Sequence, residues 1–98
     1  MKNFNSKVYE VTKKIPRGKV STYGLIACLA ENCRAPRAVG NALNKNFSPD
    51  IPCHRVIRSN GSIGGYRGNL LKKIRKLKSE GVIIKNNRID LKKFGWPS

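Results

Sequence analysis

A cysteine followed at once by a histidine, Cys53-His54, is the pair with the most chemistry in this 98-residue chain. It lies in the run Ile51-Pro52-Cys53-His54-Arg55-Val56, where the proline ring locks a backbone angle just ahead of the thiol. A thiol attacks as thiolate, and an adjacent imidazole in strongly basic surroundings favours that form. Cys53 therefore reads as a nucleophile. Neighbouring side chains in extended backbone point apart, so adjacency in sequence does not establish a hydrogen bond between sulfur and ring, and the gap is one that a water could span. A histidine acting as base also needs an orienting acceptor, and Glu80 is one of only five acids in the chain. On its residues alone Glu80 is equally readable as an idle carboxylate at a helix end. Cys28 falls among apolar residues and reads as inert core, whereas Cys33, in a polar link, is expected to be exposed and oxidisable. Three cysteines at these spacings match neither a disulfide framework nor a thiolate metal site. No metal and no cofactor is expected, and a reducing, cytoplasmic compartment fits best.

Lysine and arginine number 21 against five acids, a formal net charge of +16. A solvated lysine-rich surface accounts for part of such an excess, but its self-repulsion is relieved by a polyanion, so nucleic acid is the expected partner. No stretch is apolar enough for a signal peptide or a membrane span, so no membrane association is expected. At this length the chain is read as one domain, 1–98, expected to act as a monomer.

Positioning these side chains requires a frame, and the apolar spacing predicts one that is mainly α with short β segments. Phe4, Val8, Val11 and Ile15 recur at helical spacing, giving an amphipathic first helix region over 1–14 that Pro16-Arg17-Gly18 breaks. Thr22 is placed to cap a second helix through about Glu31, with Leu25, Ile26 and Leu29 expected inside. After Asn32-Cys33-Arg34-Ala35, Pro36 suits the first turn of a third helix reaching about Lys45. Residues 22–45 are thus a helix-turn-helix candidate within a winged-helix-like, three-helix arrangement. Small residues Ala35, Ala38, Gly40 and Ala42 gather on the third helix, beside a flank of Arg34, Arg37, Asn41 and Lys45. That pattern permits close approach to a groove, and it is also compatible with plain helix packing. Residues 46–68 form the active-site segment and a glycine-rich loop, with Val56-Ile57-Arg58 as a strand and Asn60-Gly61 as a turn. Leu70, Leu71, Ile74 and Leu77 predict a helix that Gly81 stops, within a C-terminal unit 69–96. Residues 82–90 then read as a small hairpin, and Phe94 and Trp96 as tail anchors.

Four stretches, in order, carry a resemblance to a known family. They are Ile15-Pro16-Arg17-Gly18-Lys19-Val20-Ser21-Thr22-Tyr23-Gly24, then Arg37-Ala38-Val39-Gly40-Asn41-Ala42-Leu43, then Ile51-Pro52-Cys53-His54-Arg55-Val56, and finally Gly64-Gly65-Tyr66-Arg67-Gly68. Together they resemble the O6-alkylguanine-DNA alkyltransferases, over roughly Ile15 to Trp96. The resemblance implies double-stranded DNA carrying O6-alkylguanine as partner and irreversible, single-turnover transfer of the alkyl group to Cys53 after base flipping. It implies a relay of Cys53, water, His54 and Glu80, with Asn46 tying the active-site turn to the helix-turn-helix across a segment about one residue shorter than in many relatives. Arg37 corresponds to the arginine that enters the base stack, and Tyr23, otherwise readable as an ordinary half-buried aromatic, to the tyrosine that presses on a phosphate and lines the pocket. Thr22, Arg34, Ala38, Gly40, Asn41, Lys45 and Arg58 are the other expected DNA contacts. Leu43, Val56, Ile63, Tyr66 and Arg67 are expected to shape the substrate pocket, although the glycine-rich stretch alone is equally compatible with a surface turn. Arg55 is left as either a phosphate contact or an internal ion pair.

The expected protein is a minimal repair alkyltransferase, the catalytic C-terminal domain of its relatives without their extra N-terminal domain and any metal held there, nucleoid-associated when bound to DNA. Three rivals have signatures of their own. A lesion sensor of the same fold usually replaces the nucleophilic cysteine, which Cys53 opposes. A helix-turn-helix regulator with an inert thiol has no use for His54, Glu80, Asn46 and Tyr23 together. A cysteine hydrolase needs an oxyanion hole that no motif supplies, and has no need of a charge of +16.

Overall fold

Thr22 caps the second helix as its side chain demands: the hydroxyl accepts from the Leu25 amide at 3.1 Å. In the computed structural model, which describes residues 3–46, 48–64 and 70–97, α1 spans Phe4–Lys13, α2 Tyr23–Leu29 and α3 Pro36–Asn44. Asn3 caps α1 by accepting from the Ser6 amide, and Pro36 opens α3. α2 stops two residues short of the expected Glu31. Asn32 N–H donates to Ala27 O and Glu31 N–H to Cys28 O, closing the helix with Glu31 at φ 72°. Glu31, in that strained backbone, also pairs with Lys7 of α1.

The expected strand 56–58 is present as β2, Val56–Ile57, but its partner is upstream: β1, Ser21–Thr22, lies parallel to it with Ser21 opposite Val56. The two residues of β2 face opposite ways, as a strand requires. Val56 packs with Val8, Val11, Ile26, Val39 and Leu43 in a core among α1, α2 and α3. Ile57 packs with Val20, Ile63, Leu77, Val82 and Phe94 in a second core. The strand leaving the Cys53 turn thus joins both cores, and burial of each side chain contributes about 1.5–3 kcal/mol to holding it.

Three further expectations need correction. Leu25 and Leu29 are 43% and 45% exposed, because Ile26, Ala27 and Ala30 form the buried face of α2. In α4, Leu70–Ser79, Leu70 and Leu71 are also largely exposed, and Lys73 occupies the buried stripe with Leu77. The 82–90 hairpin reduces to single bridges, Lys85 to Arg88 and Ser62 to Arg88, around Asn86 and Asn87 at positive φ. The tail anchors as expected: α5, Leu91–Phe94, buries Phe94, and Val20 exchanges hydrogen bonds with Phe94 and Trp96.

Candidate nucleophile and DNA-binding face

Cys53 opens a 3₁₀ turn, Cys53–Arg55, that fills the short gap between Pro52 and β2. Its amide donates to Ile51 O at 2.8 Å, and Arg55 N–H to Pro52 O at 3.0 Å, so the turn closes on itself. The sulfur is half-buried, with Asn46 Nδ2 at 3.5 Å and Leu43 O at 3.9 Å. Asn46 also donates to Ser48 O and accepts from the Ser48 amide, which holds the loop after α3 against the thiol. A cavity of about 620 Å³ opens beside this turn, lined among others by Asn46, Pro52, Cys53, His54 and Glu80.

His54 is buried, and its Nε2 lies 3.0 Å from Glu80 Oε2. A neutral ring that donates through Nε2 keeps Nδ1 as the nitrogen able to accept a proton. Arg55 completes the arrangement. Its Nε donates to Glu80 Oε1 at 2.9 Å, its Nη2 to Oε2 at 2.6 Å, and its Nη1 to Ile15 O at 2.9 Å. The question left open for Arg55 is answered: it is an internal ion pair, a bidentate fork that orients the carboxylate facing His54. The Pro16–Gly18 turn meets the backbone at the end of the helix that leads to Glu80, with Arg17 donating to Ser79 O. Gly18, at φ 88°, brings its Cα so close to Glu80 O that an added Cβ would sit 3.1 Å away.

Burial of the Glu80 carboxyl works against its charge, but the hydrogen bonds from Arg55 and His54 outweigh it and hold the carboxyl at about 2. Burial lowers the His54 value, against the opposing pull of Glu80, so the ring is neutral near pH 7 and can act as a base. Both groups bind protons less readily when folded than when unfolded, so both add stability that falls as pH falls. For Glu80, whose side chain is 7% exposed, the contribution is about 2 kcal/mol after allowance for screening. It is complete above the unfolded carboxyl range and is lost as pH drops from about 4.5 towards 2. Thermal melting between pH 5 and pH 3 should show a decline that Glu80→Gln largely flattens; a parallel decline in that variant would remove the carboxylate from the account.

Most of the expected DNA contacts lie on α3 and around its ends, but Thr22 needs correction: it is buried, and its hydroxyl is taken up in capping α2. Arg34 and Arg37 are exposed around the start of α3, Asn41 and Lys45 are exposed near its end, and Ala38 and Gly40 are partly covered. An added Cβ on Gly40 would meet only the Tyr23 ring, at an ordinary 3.9 Å, so internal packing does not explain a glycine there. A glycine costs about 1 kcal/mol in a helix interior relative to alanine, and no contact inside the domain offsets that cost here. Tyr23 begins α2, half-buried; burial and the charge of Cys53 raise its hydroxyl, while Arg58 lowers it. Arg58 is exposed, its stem lying against Gly64. The pocket-wall expectation needs correction for two residues: Val56 and Ile63 are fully buried in the first and second cores, because their apolar side chains pack inward, and only Leu43 of the three lines the cavity beside Cys53. Tyr66 and Arg67 lie outside the described residues.

One residue escaped sequence reading: Lys73 was hidden by its charge although it sits three residues after Leu70 and four before Leu77. Cys28 needs correction: it is exposed and disulfide-bonded to Cys33, which leaves Cys53 as the one free thiol. Among the described residues no cluster of three or more His, Cys, Asp or Glu could hold a metal, and no helix is long and apolar enough to cross a membrane.

A helix-turn-helix frame presenting basic side chains beside a half-buried free thiol, with a histidine, glutamate and arginine locked next to it, defines a class of small DNA-binding domain. The family model of the 6-O-methylguanine DNA methyltransferase DNA-binding domain matches residues 3–82, and the chain belongs to that family. It is 44% identical over 82 residues to a methylated-DNA–protein-cysteine methyltransferase of Methanothermobacter thermautotrophicus, covering 83% of this chain and 46% of that one. It is 34% identical over 96 residues to the DNA base-flipping protein of Escherichia coli, covering 96% and 74%. Among solved structures, Schizosaccharomyces pombe Atl1 in complex with damaged DNA containing O6-carboxymethylguanine superposes with a TM-score of 0.88 at 32% identity, covering both chains fully. The chain thus spans less than half the length of methyltransferase relatives such as the first.

Proposed function

We propose that this chain repairs O6-alkylguanine in double-stranded DNA by moving the alkyl group to Cys53, once per molecule, as a methylated-DNA–[protein]-cysteine S-methyltransferase. The observation that carries the reading is the free Cys53 thiol beside Asn46, on a turn whose next two residues lock Glu80. The frame, with basic α3 and Tyr23 at the start of α2, serves to bind the duplex and receive a flipped base, and residues 1–98 work as one catalytic unit. The name of the M. thermautotrophicus relative and the lesion held by S. pombe Atl1 support the substrate class.

In this reading the Cys53 proton passes through one water to Nδ1 of His54, whose charge Glu80 then stabilises. The thiolate electron pair forms the S–C bond as the C–O6 bond breaks, and guanine leaves with that pair and takes up a proton. The thioether has no leaving route, so the protein is consumed. Asn46 and the pocket residues Leu43, Tyr66 and Arg67 place sulfur and base; Arg34, Ala38, Gly40, Asn41, Lys45 and Arg58 bind the backbone and groove, and Arg37 fills the gap in the stack. No metal or cofactor enters the step.

Full coverage of Atl1 and the base-flipping name of the E. coli relative favour a second reading, recognition of the lesion without transfer. One experiment separates the two. Intact mass after exposure to a duplex containing O6-methylguanine should rise by one methyl group per protein, located by peptide mass spectrometry at Cys53. A stable complex with unchanged mass would establish the second reading, and methyl on any other residue would overturn the site.

A further inference from the structure

Lys73 is the largest fully buried side chain described, with 0% exposure, in the middle of α4. Burying an ammonium is costly unless strong acceptors meet it. Here it donates to Val56 O at 2.9 Å and to Ile63 O at 2.7 Å. Those carbonyls bracket the stretch that bears on the proposed chemistry. Val56 leaves the Cys53–Arg55 turn, and Ile63 ends the 58–62 turn, which Arg58 N–H to Ser62 O closes at 3.0 Å. A methionine or leucine at this position would continue the apolar stripe of Leu70 and Leu77 without such a burial cost, so packing alone gives no reason for a lysine.

We propose that Lys73 is a positioning residue for alkyl transfer, its ammonium clamping the strand that leaves Cys53 to the turn that carries Arg58, so that the sulfur and the base-receiving face keep one geometry. This deepens the transfer reading and rests on it. The mechanism is distinct from DNA affinity, because the clamp lies inside the domain while the groove-facing groups of α3 lie outside it. Among the described residues, the charged and titratable groups acting on the ammonium include Cys53 from the 3₁₀ turn and Arg58, which follows β2. Burial, reinforced by Arg58 and opposed by Cys53, lowers Lys73 to about 8. Above that pH the two hydrogen bonds lose the assistance of charge and weaken.

The linkage sign separates this role from simple stability. A lysine that binds its proton less readily in the fold than in the unfolded chain makes the fold gain stability as pH rises from about 8 to 10.5. A rate that falls over the same range therefore does not come from Lys73-driven unfolding.

The test uses the full chain and two substrates, free O6-benzylguanine and a duplex containing O6-methylguanine. Lys73→Met keeps the stem and removes the charge. It should lower the maximal rate of Cys53 alkylation at least about tenfold with both substrates, which corresponds to about 1.4 kcal/mol. The half-saturating concentration of the free base and the affinity for alkylated duplex should change less than about threefold. In the wild type, the maximal rate should turn downward above about pH 8, and the turn should be absent from Lys73→Met. Wild-type rates in Lys73→Met would overturn the clamp while leaving the transfer reading intact. If Lys73→Met does not fold, the wild-type profile decides, and a rate still rising at pH 9 overturns the proposal. Absence of wild-type transfer from either substrate would instead remove the transfer reading, and the clamp with it.

Discussion

Cys53→Ala should abolish alkyl transfer and leave affinity for alkylated duplex within about threefold, a difference of less than about 0.7 kcal/mol. The two halves of that expectation come from different parts of the molecule. Transfer needs the sulfur as the atom that forms the new bond, and no other group can stand in, because Cys28 and Cys33 are bonded to each other. Affinity in this reading comes from exposed side chains on and around α3 and from Arg58, none of which depends on the sulfur for its place. The substitution removes a half-buried atom whose polar neighbours are Asn46 Nδ2 and Leu43 O, so little packing is lost. Intact mass measures the first half, and fluorescence anisotropy with a labelled duplex the second. Methyl uptake by the alanine variant would displace Cys53 as acceptor. Loss of affinity together with transfer would mean that the sulfur organises the binding surface.

What could be read from the sequence followed the strength of the local signal. Helices with a regular apolar repeat and a cap, α1, α2 and α3, fall within a few residues of their expected ends because spacing and capping act locally. The β1–β2 pairing was hidden, since two-residue strands carry too little alternation to announce a partner 35 positions away. Leu25 and Leu29 misled because a short helix offers several apolar stripes, and contact with α1 and α3 selected the one through Ile26, Ala27 and Ala30. Lys73 was invisible for the opposite reason. A charged residue inside an apolar stripe reads as an interruption until the carbonyls that receive it are known. Within the site, the nucleophile and its partners in name came from composition and family resemblance. The Arg55 fork on Glu80 required three-dimensional closure, because the two residues are 25 positions apart.

Arg37→Ala should slow reaction with a duplex lesion about tenfold or more while leaving reaction with free O6-benzylguanine nearly unchanged. Arg37 is the second residue of α3, exposed, one position after the proline that starts the helix. It projects from a rigid helix start, and rigidity matters if a side chain is to occupy space inside a base stack. A thiol cannot reach the O6 atom of a stacked guanine, so the duplex reaction includes an extrusion step that costs a few kcal/mol, whereas the free base enters the pocket without it. If Arg37 offsets about 1.4 kcal/mol of that cost by filling the vacated space, its truncation appears as a tenfold loss on duplex alone. Arg34→Ala provides the contrast: in the proposed reading it removes a phosphate partner, so it should weaken duplex binding and reduce its salt dependence without a selective defect once the complex is saturated. Single-turnover rates at saturating protein, measured for both variants on both substrates, separate these effects. Equal slowing of the free-base and duplex reactions by Arg37→Ala would assign this arginine to the pocket or the fold, and extrusion would then have to be supported from Tyr23 and the backbone of α3.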